Sequence, residues 1–156
     1  MLFRFGGTTA EMDVVVSHAM AKLNRDRPTH LLGIGGIRDI FAGIAQGIDT
    51  FDCVSPTRIA RHGAALMPGV KSERVNLRNA RFREDAKPVD ETCDCYCCRN
   101  FSRAYVHHLM KAEELLGLQL LTQHNIAVMN RLTRELRAAI PEGTLDKLRK
   151  RWVYDA

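Results

Sequence analysis

The chain has 156 residues, 46% of them hydrophobic and 26% charged, with 23 lysines and arginines against 18 acids. This length fits one domain or a portion of a larger one, and the composition is that of an ordinary globular chain. No apolar run approaches the roughly 18 to 20 residues of a membrane span, so an integral membrane protein is excluded and no membrane partner is expected. The amino terminus does not read as a secretory signal. A cytoplasmic, reducing location is therefore expected, with cysteines present as thiols or thiolates rather than disulfides.

Charge and cysteine are unevenly spread. Residues 56 to 83 hold seven basic side chains (Arg58, Arg61, Lys71, Arg74, Arg78, Arg81, Arg83) and one acid, Glu73, whereas the rest of the chain, with 16 basic and 17 acidic residues, is nearly neutral. Four of the five cysteines fall between positions 93 and 98. A basic surface beside a metal-binding loop is the expectation.

In chain order, Thr8 and Glu11 have capping-box spacing before a helical stripe of Met12, Val15, Val16, Ala19 and Leu23, which ends before Pro28. His30 to Gly36 is a short apolar run entering a glycine turn, expected as a buried strand. Ile37, Ile40, Phe41 and Ile44 then repeat at helical spacing up to Gly47. Asp49 to Val54 reads as a second strand stopped at Pro56. Strand, glycine turn, helix and strand make a βαβ unit and imply a parallel sheet or barrel. Irregular, basic chain is expected up to about residue 90, with a short strand near Val75-Asn76-Leu77. A helix carrying Phe101, Tyr105, His108, Leu109, Ala112 and Leu116 on one face should end at Gly117. A second, with Ile126, Met129, Leu132, Leu136 and Ile140, should stop at Pro141. A last short helix starts at Thr144 and shows Leu145, Leu148 and Trp152.

Three constellations can carry chemistry. In Cys93-Asp94-Cys95-Tyr96-Cys97-Cys98, alternate residues of an extended segment point the same way, so Cys93 and Cys95 fit around one ion and Cys98 closes a turn. A tetrahedral zinc takes about four nitrogen or sulfur ligands. Cys97 is poorly placed to share that ion with its neighbour, which leaves His107, His108 or His124 as the fourth ligand; buried free thiols are the alternative. Three thiolates and an imidazole make a closed site, structural rather than catalytic.

Asp49 and Asp52 sit at the end of a strand, where parallel α/β folds place their active sites. A carboxylate there can attack a sugar carbon, or simply cap a turn or pair with Arg58. The Gly33-Ile34-Gly35-Gly36 turn has Arg38 at the third-glycine position of the dinucleotide fingerprint and no Walker lysine, so it tightens a turn or approaches a flat ligand rather than holding a nucleotide cofactor. The basic stretch suits phosphate, hence nucleic acid. His30 and His62 read as structural or surface residues.

The segments Gly47-Ile48-Asp49-Thr50-Phe51-Asp52-Cys53-Val54-Ser55-Pro56-Thr57-Arg58 and Cys93-Asp94-Cys95-Tyr96-Cys97-Cys98-Arg99-Asn100-Phe101-Ser102-Arg103-Ala104-Tyr105 together closely resemble the tRNA-guanine transglycosylase family. Leu118-Gln119-Leu120-Leu121-Thr122-Gln123-His124-Asn125 and Leu32-Gly33-Ile34-Gly35 extend the match. The resemblance implies an α/β fold: the carboxy-terminal part of a (β/α)8 barrel, incomplete as a barrel, with a zinc-binding subdomain. Residues 1–70 would form the last strand-helix units, 71–125 the zinc subdomain and 126–156 the carboxy-terminal helices. It implies exchange of an anticodon-loop guanine of tRNA for a 7-deazaguanine, the step of queuosine modification, through a covalent intermediate between Asp52 and the ribose. It implies Zn2+ on Cys93, Cys95, Cys98 and His124. It implies RNA contacts from Gly33, Ile34, Gly35, Gly36, Ile37, Arg38 and Asp39, and from Thr57, Arg58, Ile59, Ala60 and Arg61. The partners implied are tRNA and a guanine or deazaguanine base, with a second polypeptide or copy completing the barrel. The family's acid/base aspartate has no counterpart here, and a zinc-stabilised RNA-binding fragment or remnant without catalysis is the alternative. Cys97 and Ser55 depart from the family pattern.

Overall fold

A computed structural model describes residues 9–154, so the expected cap at Thr8 lies outside the described residues. The chain forms two compact units that part between Ser55 and Pro56. No helix among the described residues is long and apolar enough to cross a membrane.

In the first unit, helix α1 (Thr9–Met20) places Met12, Val16 and Met20 four residues apart on one face, and these pack with Leu31 and Ile48. Strand β1 (His30–Leu31) leads through the glycine turn into α2 (Ile37–Ala45), which buries Ile37, Ile40 and Phe41. Strand β2 (Thr50–Phe51) returns parallel to β1, with His30 opposite Thr50 and Leu31 opposite Phe51. The expected βαβ unit is present, but its second strand is only two residues long. Pro56 does not stop a strand. It lies in the first turn of α3 (Ser55–Arg61), where a missing N–H has no helical partner to lose.

The second unit corrects the expectation of irregular chain after Pro56. Beyond α3, strands β3 (Ala64–Leu66) and β4 (Arg74–Asn76) pair antiparallel, and a 3-10 turn covers Ala80–Phe82. Helices α4 (Tyr96–Asn100), α5 (Arg103–Lys111), α6 (Leu115–Glu142) and α7 (Leu145–Trp152) follow. The expected stop at Gly117 is misplaced. The chain breaks instead at Glu113, whose φ is 59°, and Gly117 lies inside α6. A side chain there would meet Leu109 Cβ at 3.0 Å and Met110 Sδ at 3.1 Å, so this glycine serves the close approach of α6 to α5. Pro141 falls within the last turn of α6, which ends at Gly143 in the left-handed conformation.

The buried faces also differ from the apolar periodicity. Helix α5 turns Val106, His107, Leu109 and Met110 inward and leaves Tyr105 40% exposed. On α6 the buried set runs through Leu121, His124, Asn125, Val128, Leu132, Leu136 and Ala139, while Ile126 and Ile140 face outward. The buried stripe contains polar residues, so a search for apolar periodicity drifts off it. On α7, Leu148 and Trp152 are buried as expected.

Asn125 explains one of those polar positions. Its carbonyl oxygen accepts from the Leu66 N–H at 2.7 Å, and its amide donates to the carbonyls of Pro56 (2.8 Å) and Ala64 (3.1 Å). It thereby ties β3 and the start of α3 to the middle of α6. Asn125→Ala would leave buried backbone groups unpaired, at roughly 1–3 kcal/mol for each group that water cannot reach. We expect unfolding free energy to fall by about 2–4 kcal/mol, read from the urea midpoint.

Candidate metal centre and carboxylate site

The thiols are gathered by a turn and a helix start. Cys95 caps α4, its sulfur accepting from the Cys98 N–H at 3.5 Å, and the Cys93 N–H donates to the Asp90 carbonyl at 3.2 Å. His124 reaches the cluster from α6. Its Nε2–H donates to the Leu66 carbonyl at 2.9 Å, which leaves the Nδ1 lone pair aimed at Cys98 Sγ (3.3 Å) and Cys95 Sγ (3.7 Å). The donor atoms of Cys93, Cys95, Cys98 and His124 all lie within 4.8 Å of one another.

These residues fit a tetrahedral ion. Bond lengths of about 2.1 and 2.3 Å give a nitrogen–sulfur edge of roughly 3.6 Å, and the observed 3.3 and 3.7 Å bracket it. His107 is engaged elsewhere, with Nδ1 2.6 Å from the Leu77 carbonyl, and His108 is exposed. Cys97 points into the apolar core, and burial, with the charge near Cys95 and Cys93 adding to it, pushes its thiol up to about 12. Hydrogen bonds from Cys93 and then Cys98 pull Cys95 down to about 3, while the same sharing with Cys93 and Cys95 pushes Cys98 up. Cys93 is lowered as well, so the proton that stays is the one on Cys98, shared with the other two sulfurs; a cation would take its place.

Sequence reasoning missed the support of this loop. Arg131 donates to the Thr92 carbonyl (2.6 Å), to Thr92 Oγ1 (3.2 Å) and to Asp90 Oδ2 (3.2 Å). Asp90 in turn accepts from the Thr92 N–H and hydroxyl, both at 2.8 Å. The guanidinium also lies over the Trp152 ring, 5.1 Å from its centre, and Trp152 Nε1 donates to Glu135 at 2.6 Å. Arg131 follows His124 by seven residues, two helical turns along the same face, which is the signal that points to it.

The first unit holds the carboxylates. Asp52 Oδ1 accepts from the Gly33 N–H at 2.9 Å and lies 3.0 Å from His30 Nε2. His30 Nδ1 is 2.8 Å from Thr50 Oγ1; with that hydroxyl donating, Nε2 carries the proton and donates to Asp52. The Gly33 N–H, and secondarily His30, hold the Asp52 carboxyl below its ordinary range although the group is exposed. His30 is therefore a partner of the candidate carboxylate, which the sequence reading did not anticipate. The signal was available in the strand pairing, which sets His30 opposite Thr50, two residues before Asp52. Asp49 does something different, its Oδ2 accepting from the Thr29 N–H at 2.7 Å.

In the glycine turn, Gly33 has a φ of +73°, and a side chain at Gly35 would fall 2.5 Å from Cys53 Cβ. Ile34 packs against the first unit's core, Gly36 is the N-cap of α2, and Ile37 is buried beneath it. The Asp39 carboxyl is raised by burial and by Asp13, against a lowering contact from the Gly36 backbone. In α3, Arg58 and Arg61 are exposed three residues apart, Thr57 is half-buried, and Ile59 and Ala60 enter the core.

A parallel βαβ turn that presents a carboxylate, together with a Cys3His group on a helical unit, defines an α/β chain with a thiolate-rich candidate metal centre. The family model for Queuine tRNA-ribosyltransferase matches residues 3–156, and the chain belongs to that family. A Queuine tRNA-ribosyltransferase of Roseiflexus sp. (strain RS-1) is 45% identical over 149 residues, covering 95% of this chain and 37% of the relative. That of Synechococcus elongatus is 50% identical over 135 residues, 86% of this chain and 34% of the relative. That of Prochlorococcus marinus (strain MIT 9303) is 46% identical over 151 residues, 97% of this chain and 40% of the relative. The chain thus spans little more than a third of the length of these relatives and matches their carboxy-terminal portion.

Outcomes are expected at both sites. Because the Asp52 pKa is depressed, its native contacts contribute above the unfolded pKa and are lost as pH falls through the folded value. His30→Ala should move the Asp52 carboxyl titration upward, yet leave it below an ordinary aspartate because the Gly33 N–H remains; carbon-13 NMR of the carboxyl reads this. At the thiol cluster, Cys95→Ser should abolish zinc uptake and Arg131→Ala should weaken it by about ten- to a hundredfold, in competition with a chelating dye.

Proposed function

We propose that this chain supplies the ribose-attacking carboxylate and the zinc-bearing portion of a tRNA-guanine transglycosylase, which exchanges an anticodon-loop guanine for guanine or a 7-deazaguanine in the cytoplasm. The observation that carries this reading is the presentation of Asp52. Among the described residues its contacts from Gly33 and His30 both fall on Oδ1, on an exposed carboxylate held ionised, which leaves Oδ2 as the attacking oxygen.

In this reading Asp52 Oδ2 attacks C1′ of the target ribose. The C1′–N9 bond breaks and its electron pair leaves with the guanine, which takes a proton from a general acid. The incoming base, losing its N9 proton, then attacks C1′ and expels the Asp52 carboxylate. The Gly33 N–H and His30 hold Oδ1 through both steps, so the carboxylate keeps one orientation for bond formation and for departure. The Gly33–Asp39 turn and the Thr57–Arg61 segment would hold the RNA around the displaced base.

Cys93, Cys95, Cys98 and His124 would hold Zn2+, which in such a closed ligand set supplies folding energy rather than chemistry. Residues 1–70 would belong to the closing strand-helix units of a (β/α)8 barrel, 71–125 to the zinc subdomain and 126–156 to terminal helices. The other strands, and the general acid, would come from a further polypeptide segment or a second copy.

The test is incorporation of labelled guanine into unmodified tRNA by the zinc-loaded chain, supplied with the segment that completes the barrel or held at a concentration where a second copy associates, with trapping of the RNA adduct on a denaturing gel. Incorporation and adduct are expected, and both should drop to background in Asp52→Asn. An adduct that survives Asp52→Asn refutes the nucleophile. Salt-dependent tRNA binding with no incorporation favours an RNA-binding fragment without catalysis.

A further inference from the structure

In the second unit, a cavity of about 530 Å³ opens between α3, the β3–β4 hairpin and the 3-10 turn. Sites for small molecules are mostly apolar, with a few polar groups to orient the ligand. Here polar groups are far more numerous, since His62, Ser72, Arg74, Asn76, Asn79 and Arg81 line the space beside Ile59, Ala64 and Val75. The acceptors among them are partly committed: Asn76 Oδ1 takes the Arg78 N–H at 2.9 Å, which leaves its amide as a donor. Arg81 is steadied by stacking over the Phe82 ring, 4.6 Å from its centre. The cavity is thus a concave surface with an excess of donors and positive charge.

Elsewhere the unit pairs its arginines: Arg103 with Asp85, Arg131 with Asp90 and Arg151 with Glu135. Among the described residues neither Arg74 nor Arg81 has a carboxylate partner, and the same holds for Arg58, Arg61, Lys71, Arg78 and Arg83. Guanidinium groups held at one concave surface repel each other unless an anion lies between them, and their planar forks match phosphate oxygens. Ile59 also lines the cavity, so it adjoins the helix that carries Arg58 and Arg61.

We propose that this cavity binds the phosphate backbone of the RNA, as a positioning site beyond the Thr57–Arg61 segment; this rests on the reading of the chain as tRNA-binding. Backbone contacts of this kind set register without reading sequence.

The experiment is equilibrium binding of unmodified tRNA to the full zinc-loaded chain between about 50 and 200 mM salt. Each phosphate contact adds about 0.7 to 0.9 to the slope of log affinity against log salt, so Arg74→Gln/Arg81→Gln should lower the slope magnitude by about 1.4 to 1.8. Arg74→Lys/Arg81→Lys should keep the slope. Arg134→Gln/Arg137→Gln, removing equal charge from exposed positions of α6, should change it by less than half as much. Zinc content and urea midpoint confirm that each variant is folded. An unchanged slope in the Arg74/Arg81 glutamine variant, or an equal drop in the α6 variant, overturns the cavity assignment and leaves the proposed function standing. No tRNA binding by the unaltered chain at any salt overturns both.

Discussion

The second unit depends on two adjacent polar side chains buried in the middle of a long helix. His124 and Asn125 both face β3, and between them they satisfy the Leu66 carbonyl, the Leu66 N–H and the Ala64 carbonyl. A three-residue strand with one ladder neighbour has too few backbone partners of its own, and buried amides must be paired. Helix α6 supplies those partners from side chains. That pairing fixes the rotation of α6, and the rotation fixes where the His124 ring points. The imidazole lone pair therefore meets the thiol turn as a consequence of how the hairpin is satisfied. A cation in the cluster would tie loop, helix and hairpin together in one charge-compensated network.

The first unit follows the same economy on a smaller scale. Two strands of two residues each set His30 beside Thr50, and the glycine turn brings a backbone N–H to the next carboxylate along. The result, among the described residues, is an exposed carboxylate whose fixed donors meet one oxygen. Exposure leaves it open to solvent, while the fixed donors keep it ionised and oriented. Those donors also lower its basicity, so a larger fraction of the group stays ionised.

Arginines in the second unit divide by task. Those that pack against loops meet carboxylates, and Arg131 additionally lies over an indole and reaches the chain just before Cys93. Those from Arg58 to Arg83, in and around α3, the hairpin and the 3-10 turn, have no carboxylate partner among the described residues. An imbalance visible as composition thus becomes, in three dimensions, a distinction between charges that hold the fold and charges left open to an anion.

The cysteine spacing, the βαβ pattern, Asp52 just past the second strand and the basic stretch were legible from residue order, because each depends on local geometry or composition over a few positions; Asp49 precedes that strand instead of ending it. The family followed from those same motifs. Spacing left three histidines open as the fourth ligand and the family resemblance pointed to His124; the tertiary structure sets that ring at the thiols through the rotation of α6 against β3. The helix faces and the break at Glu113 were likewise misread, since buried polar residues interrupt the apolar stripe and Gly117 answers to Leu109 and Met110 rather than to the helix end. For His30 and Arg131 residue order offered only spacing, and the contact itself came from the fold: each acts on a residue more than twenty positions away, through a hydrogen bond that strand register or helix packing creates.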